Sequence, residues 1–177
     1  LTNAETIIAS AKYPLQRTLA EEFGADIVVG PSELKRAVRQ VTGCRMIGNS
    51  LSGGSDVTID AVGNASSIKT SLDITRPRGR VVMLGMPGVT KVDLTPLWHR
   101  EIEMVGSYTY GTEELSNGET TSSYELAFDL VREKKLEKLV TDTYPLDRYQ
   151  DAIRHAADAG SLGSVKVVFD MRNEKRR

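Results

Sequence analysis

The chain contains a single cysteine, Cys44, among 177 residues. One thiol closes no internal disulfide and builds no thiolate zinc cluster unaided, and such sparse use of cysteine fits a cytoplasmic protein. Charge of neither sign dominates: 23 Lys and Arg stand against 24 Asp and Glu, a formal net charge of -1. That balance gives no electrostatic reason to expect nucleic acid or an anionic membrane as partner. The only basic run, 175–177 (KRR), reads as a solvated tail. No apolar stretch approaches the roughly 20 residues that cross a bilayer, and the first residues lack a charged-then-apolar leader pattern. Two phosphate-binding signatures are also missing. No G-x-G-x-x-G follows a strand-like run, and the absence of G-x-x-x-x-G-K-[ST] removes nucleoside-triphosphate hydrolysis of the P-loop kind.

What is present is ordinary for a globular protein, with 40% hydrophobic and 27% charged residues. The length suits one domain with a core and an appended piece. The chain opens on Leu1 and enters a β-branched run at once, so further sequence is expected upstream. Residues 6–11 (TIIASA) read as a strand, and Leu15, Leu19 and Phe23 recur every four residues on one face of a helix that Gly24 ends. A short strand over 26–29 completes a strand–helix–strand unit with the spacing of a parallel crossover. Ser32 is the expected cap of a helix over 33–42 that Gly43 ends. A glycine-containing loop over 48–54 precedes 57–62 (VTIDAV), a nearly continuous apolar strand expected to be buried on both faces. A helix over 66–74, a turn at Pro77 and Gly79, a buried strand over 80–84 (RVVML) and another over 101–105 follow. Beyond Tyr110 the texture becomes more polar: a loop over 113–122, helices over 123–133 and 148–159, and strands over 140–144 and 165–169. No repeat or low-complexity tract is visible.

Ligands of open parallel sheets bind beyond the carboxyl ends of the strands. Gly63 and Gly85 stand at two successive such ends, where a residue without Cβ lets a flat ligand approach the backbone; singly, each would pass for a turn glycine.

Six phrases then occur together in order: SAKYPLQRTLAEEFGAD (10–26), DVTIDAVGNASSIKTSLDITRPRGRVVMLGMPG (56–88), IEMVGSYTY (102–110), ELAFDLVREKKL (125–136), YPLDRYQDAI (144–153) and GSVKVVFD (163–170). In these the chain resembles the medium-chain, zinc-type alcohol dehydrogenases over essentially its whole length. The resemblance implies an α/β fold: a Rossmann-like parallel sheet lacking its first strand, plus a C-terminal segment of the catalytic domain. It divides the chain into a partial NAD(P)-binding domain, 1–110, and a segment, 111–177, that packs on a catalytic domain not present here. The family's zinc ligands and its glycine-rich turn would then lie upstream. Cys44, His99 and His155 lack ligand spacing, so no catalytic or metal-binding residue is assigned to this chain.

The same resemblance implies cofactor contacts. The family's acidic position at the end of the second strand falls on Ala11, and Ser10, Lys12 and Arg17 around it favour NADP over NAD, because a 2′-phosphate repels carboxylates and attracts cations. Val62 and Gly63 would line the adenosine side. Leu84, Gly85 and Met86 would meet the nicotinamide through backbone groups, with Tyr108 and Tyr110 flanking the carboxamide. Lys166 would reach the pyrophosphate as a point charge. Tyr108 equally suits a core or an interface, and Lys166 an edge strand. The expected activity is that of a zinc-dependent alcohol or polyol dehydrogenase, transferring hydride between a secondary alcohol and NAD(P). Expected partners are a small alcohol substrate, an N-terminal catalytic domain, and a second copy paired through the last Rossmann strand. A non-catalytic remnant or subunit of a split dehydrogenase, or a zinc-free quinone oxidoreductase, are the alternatives. By itself the chain is expected to bind dinucleotide weakly or not at all, for want of the glycine-rich turn and its helix N-terminus.

Overall fold

The computed structural model describes residues 4–115 and 117–172, which leaves Leu1 and the basic run 175–177 outside the described residues. The chain forms two compact units: Val29–Thr109, and Leu1–Val28 together with Tyr110–Arg177.

The chain begins with β1 (Ile8–Ser10), α1 (Pro14–Glu22) and β2 (Ile27–Val29), in which β1 and β2 pair. Pro14 sits in the first turn of α1, where its fixed φ suits a helix and its missing N–H is no loss. Gly24 follows the C-cap at φ 94°, as expected of a helix stop.

Within Val29–Thr109, α2 (Leu34–Thr42) does not use Ser32 as its cap. Glu33 stands at N-cap without a side-chain cap; its carboxylate instead accepts a hydrogen bond from the Gly30 N–H at 3.1 Å, tying down the loop that precedes the helix. The segment expected as a loop over 48–54 contains a hairpin, β3 (Met46–Ile47) with β4 (Ser50–Leu51), turning through Gly48 and Asn49. A Gly-Asn pair is a favoured two-residue hairpin turn, and Gly48 takes the positive φ it requires.

Next come β5 (Ser55–Asp60), α3 (Ala65–Ile74), β6 (Thr75–Met83), α4 (Thr95–His99) and β7 (Glu103–Gly106). The three strands form a parallel sheet in the order β5-β6-β7. The expected turn at Pro77 and Gly79 is absent. Instead β6 runs straight on from α3, and its irregularity takes the form of a bulge: Ser55 pairs with Thr75 but Val57 with Arg80. That slack accommodates Pro77, which has no N–H for a ladder, and Arg78 at φ 58°.

The core of this unit joins Ile68 and Leu72 of α3 to Val81 and Ile102, with Met83, Leu97 and Met104 packed around them. Arg100 is buried at its edge, and its guanidinium donates to the carbonyls of Asp73 at 3.0 Å and Gly53 at 2.6 Å, satisfying the C-terminal end of α3. Burial pushes the pKa of Arg100 below its ordinary value. Contrary to expectation, β5 is not buried on both faces. Val57 and Ile59 are 54% and 63% exposed, because β5 has a neighbour on one side only and a helix on one face only among the described residues.

In the other unit, the polar stretch expected as a loop over 113–122 is an antiparallel hairpin, β8 (Thr112–Glu114) with β9 (Thr120–Ser122). Its strands alternate no apolar residues, which hid them. Helix α5 (Ser123–Lys134) starts in a capping box between Ser122 and Glu125. A parallel pair, β10 (Val140–Tyr144) and β11 (Lys166–Phe169), is connected by α6 (Tyr149–Ala157). Among the described residues no helix is long and apolar enough to cross a membrane.

Candidate functional site

At the carboxyl ends of β5 and β6 one buried side chain organises both following loops. Asp60, 3% exposed, accepts hydrogen bonds from the N–H groups of Val62 (2.8 Å) and Gly63 (3.0 Å) on one carboxylate oxygen and from the Ser67 hydroxyl (2.9 Å) on the other. Its main-chain carbonyl accepts from Leu84 N–H (2.9 Å) and Gly85 N–H (2.7 Å). The Asn64 side chain then caps α3, accepting from Ser66 N–H and Ser67 N–H, while the Ser67 hydroxyl oxygen accepts in return from Asn64 N–H in a capping box. Sequence reasoning passed over Asp60, although an aspartate ending a strand three residues before Gly-Asn, with a serine at the third helical position, is the pattern of a self-closing turn.

The two glycines expected at this end are in contact with each other. A Cβ on Gly63 would meet the Gly85 carbonyl carbon at 2.8 Å and Met86 N at 2.9 Å, and one on Gly85 would run into Gly63 N. Gly63 also takes φ 73°. The close approach of two loops therefore requires both glycines. With the N–H groups of Val62, Gly63, Leu84 and Gly85 committed to Asp60, these loops offer outward chiefly the apolar side chains of Val62, Leu84 and Met86, all exposed. The loop after β7 presents Tyr108, also exposed, and its Ser107 N–H returns to the Met83 carbonyl at 2.9 Å.

In the other unit, Ser10, Lys12 and Arg17 gather at the end of β1. Arg17 does not stand free: its guanidinium donates to the carbonyls of Ala11 (2.9 Å) and Lys12 (3.3 Å) and fixes the loop from within. Lys12 makes no ion pair among the described residues and holds its ammonium over the Tyr13 ring, 5.2 Å from the centroid. Tyr110 packs its ring on Tyr124, with centroids 4.7 Å apart. Lys166 is the exposed first residue of β11, opposite Val140.

Zinc finds no donor set here. Among the described residues no three His, Cys, Asp or Glu gather as ligands. His155 is engaged through both ring nitrogens, with Tyr144 Oη at 2.8 Å and Ser164 Oγ at 2.7 Å, while Cys44 is partly buried beside Gly53. A shallow groove of about 400 Å³ lies at the opposite, amino end of the sheet, lined in part by Pro77, Arg78, His99 and Glu101. Arg78 pairs there with Glu101 at 2.6 Å.

Residues 1–123 match the family model described as zinc-binding dehydrogenase. Among curated proteins, the chain is 26% identical to the L-idonate 5-dehydrogenase (NAD(P)(+)) of Escherichia coli K12, over 94% of this chain and 44% of that protein. It is 27% identical to a sorbitol dehydrogenase of Arabidopsis thaliana, over 86% of this chain and 40% of that protein. Among solved structures, a zinc-binding dehydrogenase from Sinorhizobium meliloti bound to NADP superimposes with a TM-score of 0.64 at 25% identity, covering 94% of this chain and 46% of that one. The chain thus spans less than half the length of these relatives, and the superposition extends to the Rossmann-like part of their fold.

Proposed function

Because the chain belongs to the zinc-binding dehydrogenase family, we propose that it is the coenzyme-binding portion of an NADP- or NAD-linked dehydrogenase of secondary alcohols or polyols, with NADP preferred. The observation behind this reading is the paired turn at the carboxyl ends of β5 and β6, locked by Asp60 and presenting Val62, Leu84 and Met86. An exposed apolar surface backed by hydrogen-bonded main chain suits the face of a nicotinamide ring. Lys12, unpaired at the end of β1, suits a 2′-phosphate. The relatives support the substrate class: their names specify L-idonate and sorbitol. The coenzyme reading draws on one relative described as NAD(P)-linked and one solved with NADP.

The bound nicotinamide supplies the hydride acceptor. This chain's residues contribute binding and orientation: Leu84 and Met86 shield the ring, Val62 and Gly63 serve the adenosine side, Tyr108 and Tyr110 flank the carboxamide, Lys166 meets the pyrophosphate, and Ser10, Lys12 and Arg17 define the phosphate loop. Zinc, which would polarise the alcohol oxygen, has no ligands among the described residues and falls to a partner segment. Homo-oligomerisation through the edge of β7 belongs to the same proposal. Incubated with sorbitol or L-idonate, NADP and zinc, the chain alone is expected to form no NADPH by absorbance at the reduced-nicotinamide band. Metal-dependent turnover by this chain would overturn the division of labour.

A further inference from the structure

The loop that holds Lys12 is supported by a contact far along the chain. The Tyr13 ring lies directly over Gly160, in the turn between α6 and β11: a Cβ at position 160 would overlap the Cε2, Cδ2 and Cζ atoms of that ring. The other side of the support is electrostatic, since the Lys12 ammonium stands over the same ring, 5.2 Å from its centroid. Arg17 immobilises the intervening main chain by donating to the carbonyls of Ala11 and Lys12. Tyr13 is itself the residue preceding α1, with extended backbone angles of φ -102° and ψ 146°, so its Cα is placed where the helix begins. Lys12 is thus placed by a ring, and the ring by a residue that must have no side chain.

We propose that Gly160 and Tyr13 are positioning residues for coenzyme selection: the turn after α6 seats the Tyr13 ring, and the ring sets where the Lys12 cation meets a 2′-phosphate. This rests on the reading of Lys12 as the phosphate-selecting residue. A side chain at 160 displaces the ring and releases the lysine to sample solvent. Affinity for the unphosphorylated dinucleotide, which never uses that charge, stays as it was.

The test is a titration of the intact 177-residue chain with 2′-AMP and 5′-AMP, followed by nuclear magnetic resonance at the Lys12 methylene protons next to the ammonium, which the ring current of Tyr13 is expected to shift upfield. For the parent chain, 2′-AMP should bind more tightly, and Lys12→Ala should remove the preference. Gly160→Ala should relax the upfield shift and lower the preference about two- to fivefold, the range of an exposed cation–π contact. Tyr13→Ala should do the same, whereas Tyr13→Phe, which keeps the ring, should restore both signals. If Lys12→Ala removes the preference but Gly160→Ala and Tyr13→Ala leave it intact, positioning is wrong while the role of Lys12 stands. If the parent chain shows no preference, or Lys12→Ala leaves it unchanged, both fail. Should Gly160→Ala not fold, the comparison of Tyr13→Ala with Tyr13→Phe decides alone.

Discussion

Asp60 is a buried carboxylate whose two oxygens receive three donors, two from main chain and one from Ser67. Removing the acceptor leaves three part-buried donors without their partner at once, a larger loss than the net gain from any one hydrogen bond. Asp60→Ala is therefore expected to lower the unfolding free energy by roughly 3 kcal/mol in denaturant titrations. Asp60→Asn, which still accepts from Val62 and Gly63 and can donate to Ser67, should lose less than half of that. Gly85→Ala should cost about 1–3 kcal/mol, because the added methyl meets main chain that cannot swing aside. At this scale the sequence was informative about position and silent about cause. Gly63 and Gly85 stand out as glycines after apolar runs, yet nothing in the string says that each is required by the other. Lys12 and Arg17 look alike as loop cations; only the structure separates one bound to carbonyls from one held over a ring.

Among the elements, the β10–α6–β11 unit responds most directly to acid. The Asp142 carboxyl is held below the usual carboxylate range by the hydroxyls of Ser164 and Thr141, although its Oδ2 is closed off from solvent with no partner at full hydrogen-bonding distance and His155 Nε2 stands 3.8 Å away. Asp170 is drawn down to about 2 by Arg172. A depressed folded-state pKa stabilises above the unfolded value of about 4 and loses its contribution as pH falls toward the folded value. Thermal midpoints followed by circular dichroism should accordingly be flat from neutrality to about pH 4.5 and fall between about pH 4 and 2. Asp142→Asn should flatten part of that slope; an unchanged slope would show that this carboxyl does not contribute. Elements with apolar periodicity were legible almost to the residue: α1, α3, α5 and β10 fall where spacing places them, whereas β6 starts five residues earlier than expected, through Pro77 and Gly79. The short hairpins escaped because β3–β4 is two residues a side and β8–β9 is polar throughout, so tertiary context rather than pattern determines them.

For the whole molecule, the open edge of β5 has consequences. Its ladder groups face away from β6 without a strand partner among the described residues, and Val57, Ile59 and Val62 add exposed apolar surface beside it. Such an edge recruits other chains. Sedimentation velocity should show concentration-dependent association of this chain, reduced by Ile59→Lys; a monomer at all concentrations would show the edge to be protected. The expectation of a strand buried on both faces failed for the same reason, since VTIDAV has the composition of a central strand and here occupies an edge. Family membership was legible from six ordered phrases, whereas substrate, coenzyme and partner segment stay proposals on a chain spanning less than half of its relatives.

The central claim, that this chain holds coenzyme contacts selective for a 2′-phosphate, is tested most directly by titrating it with NADPH and with NADH while following nicotinamide fluorescence and the methyl resonance of Met86. Weak, saturable binding with NADPH ahead of NADH, and movement of the Met86 methyl, is the expected result. Equal binding of the two or tighter NADH would contradict it, whereas no binding of either by a chain shown to be folded would mean that the glycine-rich turn is indispensable.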